Sequence, residues 1–190
     1  MELEPYIETW TGIKFYFLNP TEDMIDIKDI AHSLSMQCRF TGHTDQFLSV
    51  AEHCVAVSCI VEKQNELAGL LHDASEAYLS DIASPIKKCF PQYYEMENKV
   101  MEVIAKKFGF TWPLEEDVRD ADAIQLKTEA KYLLPSRGKD WAHLFPTSER
   151  KGKVPNCLAP IHAEHLFLRT FEEITGTRIY EEKPKLIVGV

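Results

Sequence analysis

The sequence predicts a mostly α-helical domain with a small β-hairpin at its N-terminus. Apolar residues recur at three- and four-residue spacing over most of the chain, the mark of helices with one buried face. The first stretch instead mixes aromatic and β-branched residues around a Thr-Gly pair. A chain of 190 residues with 45% apolar content is large enough for one domain with a proper core. The expected layout is an N-terminal extension over 1–24, a helical core over 25–134, a long loop over 135–157, and a C-terminal helix and tail over 158–190.

Taken in order, Tyr6 to Leu18 reads as a hairpin turning at Thr11-Gly12, and Pro20 ends it. Ile27, Ile30, Ala31 and Leu34 then recur at helical spacing, with Asp26 placed as N-cap. Arg39-Phe-Thr-Gly-His43 reads as a loop in which Gly42 allows a tight bend. A second helix starts near Ser49, where Ser49 and Glu52 match a capping box, and Val50, Cys54, Val57 and Val61 form its apolar stripe. A third helix is expected from about Asn65 to Tyr78. Pro85 marks an irregular stretch, and further helices fit 92–108, 114–134 and 158–175. The prolines and glycines between Pro135 and Pro155 predict a long loop. The end after Tyr180 reads as a strand or a free tail.

The formal net charge of −9 argues against tracking a nucleic-acid polymer, which calls for a basic face. It leaves room for a small phosphorylated ligand in a local basic pocket. No stretch has the length and apolarity of a membrane span, and the acidic start Met1-Glu-Leu-Glu-Pro5 lacks a signal-peptide pattern. A cytoplasmic location is therefore expected. The five cysteines form no C-x-x-C pair, so neither a disulfide framework nor a thiolate zinc site is expected.

The segment Glu66-Leu-Ala-Gly-Leu-Leu-His-Asp-Ala-Ser-Glu-Ala-Tyr-Leu-Ser-Asp81 sets His72 and Asp73 inside an apolar helical run. A buried carboxylate is normally paired or bound to a metal, because burying it alone is very costly. His53 lies among the apolar residues of the preceding helix, which a short connection places antiparallel to the third. Asp122, in another apolar helix, supplies a second carboxylate. Two imidazoles and two carboxylates suit a divalent ion such as Zn, Mn, Fe, Co or Ni, with positions open to water and substrate. Each residue alone has a plainer reading: His53 as a hydrogen-bonded core-edge histidine, His72-Asp73 as a surface pair, Asp122 as a charge favoured near a helix N-terminus. The case for a site lies in the set.

The order His53, His72-Asp73, Asp122 resembles the H…HD…D signature of the HD-domain phosphohydrolases. Ser49-Val-Ala-Glu-His53, Leu70-Leu-His-Asp-Ala-Ser-Glu76-Ala and Asp81-Ile-Ala-Ser-Pro85-Ile-Lys87 are similar to the YfbR-like 5′-deoxynucleotidases. The stretch from Asp29-Ile-Ala-His to Arg39-Phe-Thr-Gly-His43 resembles short phage-encoded HD hydrolases of the DatZ type, which act on dATP. The likeness spans about residues 25 to 134 and implies an HD-type helical bundle. It implies that His53, His72, Asp73 and Asp122 hold the metal and that Glu76 and Asp81 do acid–base work or orient water. It further implies that Arg39 and Lys87 neutralise phosphate and that Phe40 contacts the nucleoside. Set against these roles, Glu76 also reads as a solvated helix carboxylate, Asp81 as a turn residue, Lys87 as part of an exposed lysine pair and Phe40 as a core aromatic. No histidine falls between Asp73 and Asp122, where relatives with two bridged metals have extra ones. One catalytic metal is therefore expected.

The activity so implied is hydrolysis of the 5′ phosphoester of a deoxynucleotide, with dATP giving deoxynucleoside and triphosphate as the leading form. The alternatives are a 5′-deoxynucleotidase acting on dNMPs and a non-catalytic nucleotide sensor, which should have lost a ligand or a site carboxylate. The resemblance also implies a homo-oligomer. Of the other histidines, His32 and His43 shape the substrate loop or serve core and loop hydrogen bonds, His143 is solvated, and His162 and His165 lie on a polar helix face.

Overall fold

The computed structural model of the chain describes residues 4–139 and 149–179. These form a mostly helical fold with a two-stranded antiparallel hairpin. In the hairpin, β1 (Ile7–Glu8) pairs with β2 (Lys14–Phe15), Ile7 opposite Phe15. Phe15 is fully buried and stacks on Tyr78 with ring centroids 4.1 Å apart. The buried carboxylate of Asp29 accepts the Thr11 N–H at 2.7 Å and the Thr11 hydroxyl at 2.8 Å, latching the hairpin to the first helix.

The helices are α1 (Ile27–Met36), α2 (Val50–Ser58), α3 (Glu66–Leu71), α4 (Glu76–Leu79), α5 (Ser84–Lys87), α6 (Pro91–Phe108), α7 (Glu116–Leu133) and α8 (Pro160–Thr175). As the sequence predicts, Asp26 caps α1, its Oδ1 accepting the Lys28 N–H at 2.8 Å. Helix α2 is the centre of the bundle and packs against α1, α3, α7 and α8. It is buried nearly all round, from Val50 to Val55 and again at Val57 and Ser58, as a core helix must be. Whatever polar group α2 carries is therefore delivered to the interior.

The expected third helix over 65–78 is corrected to two short ones. Helix α3 stops at Leu71, residues 72–75 form turns, and α4 resumes at Glu76. The turn is held by i→i+3 bonds, Ala74 N–H to Leu71 O at 3.0 Å and Glu76 N–H to Asp73 O at 2.9 Å. The cause is local. His72 Nδ1–H donates to the Gly69 carbonyl at 2.8 Å, competing for the acceptor that the Asp73 N–H would use in a continuous α-helix. The stretch at Pro85 is likewise not wholly irregular: it contains α5, with the proline in the first turn, where its missing N–H costs nothing. Val61 lies past the end of α2 rather than on its stripe. The expected long loop is described only at its ends, and its residues 140–148, like the tail from Tyr180, lie outside the described residues.

The capping box is half formed. Ser49 Oγ accepts the Glu52 N–H at 3.1 Å, but the Glu52 carboxylate turns elsewhere. It accepts the backbone N–H groups of Asn156 (2.6 Å), Cys157 (3.1 Å) and Leu158 (2.8 Å), pinning the approach to α8 onto α2. Glu52→Ala would leave these donors without their acceptor. The expected loss is about 3 kcal/mol, a fall in Tm of roughly 10 °C. A thermal melt within 2 °C of the parent would show that the anchor is unimportant. Among the described residues no helix is long and apolar enough to cross a membrane.

Candidate metal centre

Helix α2 presents His53, the break after α3 presents His72 and Asp73, and α7 presents Asp122. Their ligand-type atoms face one point. His53 Nε2 lies 3.3 Å from His72 Nε2 and 3.0 Å from Asp122 Oδ1. His72 Nε2 lies 3.2 Å from Asp73 Oδ2 and 3.8 Å from Asp122 Oδ1, and His53 Nε2 lies 3.8 Å from Asp73 Oδ2. Atoms that share one ion at ordinary bond lengths stand about 3 to 3.5 Å apart, so His53, His72 and Asp122 approach the dimensions of a coordination sphere, with Asp73 beside it against His72. His53, His72 and Asp122 together could hold a metal ion, and so could Cys54, His72 and Asp73.

The outer nitrogens make the donor set fit a cation. His53 Nδ1–H donates to Glu129 Oε1 at 2.7 Å, and His72 Nδ1–H to the Gly69 carbonyl. Both rings are thus oriented with Nε2 inward, the arrangement that metal-binding histidines use. Burial works against charging either ring, as Arg39 does for His53. Glu129 and Asp122 nonetheless raise His53 above its ordinary value, and Asp73 foremost raises His72 well above it. Burial likewise opposes the charged carboxylates, but His72 brings Asp73 down to about 2, and His53 and His72 hold Asp122 well below the usual range. Cys54 is near enough to His72 and Asp73 to join the set, but burial pushes its thiol up to about 11 and leaves it a protonated, poor ligand.

Glu129 escapes the sequence reading. It is fully buried on α7 and grips two partners, His53 through Oε1 and Arg39 Nε through Oε2 at 3.3 Å. The signal for it was available: it lies seven residues after Asp122, two helical turns along the same face. Arg39 also reaches Asp73, Nη1 to Oδ2 at 3.5 Å. Burial opposes its charge, but Glu129 and Asp73 raise its pKa further, so the guanidinium stays charged. The turn that presents it holds Phe40 and Thr41 at φ 55° and 53°, with Gly42 at 76°, and Arg39 N–H is tied to Leu48 O at 2.8 Å.

Glu76 is 4% exposed, and its Oε2 has no hydrogen-bond partner among the described residues. Burial, then Asp73 and Asp81, push its carboxyl well above the ordinary range. Lys87 Nζ lies 3.6 Å from Glu76 Oε1 and 2.6 Å from Glu97 Oε1, and sits 5.4 Å from the Tyr93 ring centroid. Asp81 is fixed through its backbone, its N–H donating to Gln37 Oε1 at 2.8 Å, and burial raises its carboxyl against the pull of Arg39. The Phe40 ring lies beside Arg39, 5.7 Å from the guanidinium carbon. His32 is drawn elsewhere: its Nδ1 is 3.0 Å from Glu164 Oε2 and its ring stacks on Trp10. His43, His162 and His165 are exposed, and His143 lies outside the described residues.

Fold and site together define a helical protein with a mixed imidazole–carboxylate centre that could hold a metal. The chain belongs to the family of the uncharacterized protein YfdR of Escherichia coli K12. It is 39% identical to that protein over 175 residues, which cover 91% of this chain and 97% of the relative. It is also 31% identical over 137 residues to an uncharacterized protein of Rhodobacter capsulatus, covering 65% of this chain and 70% of that one. No family model matches the chain.

Proposed function

We propose that this protein is an HD-type, metal-dependent phosphohydrolase that cleaves the 5′ phosphoester of deoxynucleotides. The observation behind this reading is the convergence of His53, His72 and Asp122, with Asp73 against His72, and a buried carboxyl oxygen of Glu76 one turn away that has no hydrogen-bond partner among the described residues. A bound divalent ion would lower the pKa of water and polarise a phosphoryl oxygen. Glu76 is suited to carry the proton, since burial and the neighbouring Asp73 and Asp81 favour its protonated form. In the reaction a water oxygen bonds to phosphorus and gives up its proton to the Asp81 carboxylate, the bond from phosphorus to O5′ breaks, and the proton on Glu76 passes to O5′. Asp81 stands near enough to influence Glu76 electrostatically and is the carboxylate left to take the proton of the attacking water. Lys87 and Arg39 supply positive charge for the phosphoryl oxygens. Phe40, beside Arg39, offers a face to the nucleoside.

The Arg39-Phe-Thr-Gly-His43 segment tilts the reading toward a triphosphate, dATP first. The same resemblance suggests a cytoplasmic homo-oligomer with one catalytic ion of Zn, Mn, Co, Fe or Ni. The test is a panel of dNMPs and dNTPs, given to chelator-treated protein and to protein restored with each metal, followed by product analysis. Triphosphate release supports the leading form. Orthophosphate from dNMPs reassigns the substrate to monophosphates. No hydrolysis with any metal rejects the enzyme in favour of a nucleotide sensor.

A further inference from the structure

The hydrogen bonds of the centre do not stop at Glu129. Gln125, one turn earlier on α7 and 1% exposed, donates from Nε2 to Glu129 Oε1 at 3.1 Å, the same oxygen that holds His53. Its amide also pairs with the backbone at Lys153, where Nε2 donates to the carbonyl at 3.1 Å and Oε1 accepts the N–H at 2.8 Å. A side-chain amide in this pose behaves like a neighbouring strand, so its orientation is fixed from both sides. Close approach of the chain requires Gly152. A Cβ there would stand 2.1 Å from Thr128 Oγ1 and 2.7 Å from Thr128 Cβ, and Thr128 is itself bonded to the Ile124 carbonyl.

We infer that Gln125, buckled to the Gly152–Lys153 backbone, is a positioning residue of the metal centre that fixes Glu129 and through it the ligating face of His53. The inference rests on the centre holding a metal but not on the reaction it catalyses. Gln125 touches no ligand atom of the ion. Its work is to stop the Glu129 carboxylate from rotating, so that His53 keeps its Nδ1–H on Glu129 and its Nε2 toward the ion. Outer partners of this kind typically account for about 10- to 100-fold in metal affinity.

The test measures Co(II) affinity and the visible absorption of the Co(II)-loaded protein, beside thermal melts. Gln125→Ala is expected to weaken Co(II) binding at least tenfold and to alter the spectrum. Gly152→Ala should move both in the same direction by forcing the backbone off α7. Asp29→Ala, which releases the hairpin instead, serves as the stability control: it should lower Tm yet leave affinity within twofold. The inference is overturned if Gln125→Ala binds within twofold of the parent, if Asp29→Ala loses as much affinity as Gln125→Ala, or if the parent binds no Co(II). A parent that binds Co(II) tightly but hydrolyses no deoxynucleotide overturns the proposed activity and leaves this inference standing.

Discussion

His72→Ala is expected to abolish stoichiometric divalent-ion binding and to lower nucleotide hydrolysis by about a thousandfold or more. His72 Nε2 lies within 3.8 Å of the other three ligand atoms, so its removal opens the whole set rather than one corner of it. The same substitution frees the Gly69 carbonyl and empties a buried volume, so the variant can also lose stability. Asp73→Asn separates the two effects. It keeps the shape but weakens the oxygen toward the ion, and should lose metal and activity with little loss of fold. Metal analysis, circular dichroism and turnover on the three proteins decide the matter. A folded His72→Ala protein that retains one ion per chain and parental turnover would sink the assignment of the centre.

Glu76→Gln should separate chemistry from metal binding. The amide has the size of the carboxyl but cannot pass a proton, so kcat should fall about 10²- to 10⁴-fold while metal affinity stays within a few fold. Stability should move the other way. The folded protein binds the Glu76 proton more tightly than the unfolded chain does, because burial and the neighbouring acids oppose ionisation. The fold is therefore free of this penalty below the unfolded pKa and loses stability as pH rises toward the raised folded value. Glutamine removes that penalty, so the metal-free variant should melt no lower than the parent at neutral pH. Such a gain in stability with a loss of activity is what a strained functional group produces. A variant that turns over at the parental rate would return Glu76 to a structural role.

Much of this was legible along the chain, and the illegible part has a common cause. The helices announce themselves through local periodicity, as at Ile27, Ile30, Ala31 and Leu34. The candidate ligand residues were conspicuous because polar side chains interrupt apolar runs. The bonds those residues make were hidden, even where helical spacing put the partner on the right face, as with Glu129. Glu129 is 76 residues from His53, and the Glu52 carboxylate finds its donors more than 100 residues away. No periodicity encodes a hydrogen bond across such a distance. The split of the third helix was hidden for a related reason. Helical spacing runs through His72 undisturbed, and only a side chain folding back on the Gly69 carbonyl tightens the turn.

The charges around the centre also account for one another. Asp73, Asp122 and Glu129 are held as anions, and Arg39 offsets only one of them. With both histidines neutral, the core has a deficit of two positive charges. The raised affinity of both rings for protons works against that deficit when no ion is bound. A divalent ion supplies the same two charges. An ion binding there would compete with those protons, and the heat of its binding would then depend on which buffer receives them. The carboxylates that would draw in a cation also draw protons to the two rings, so the proposed centre is not left as bare negative charge when it is empty.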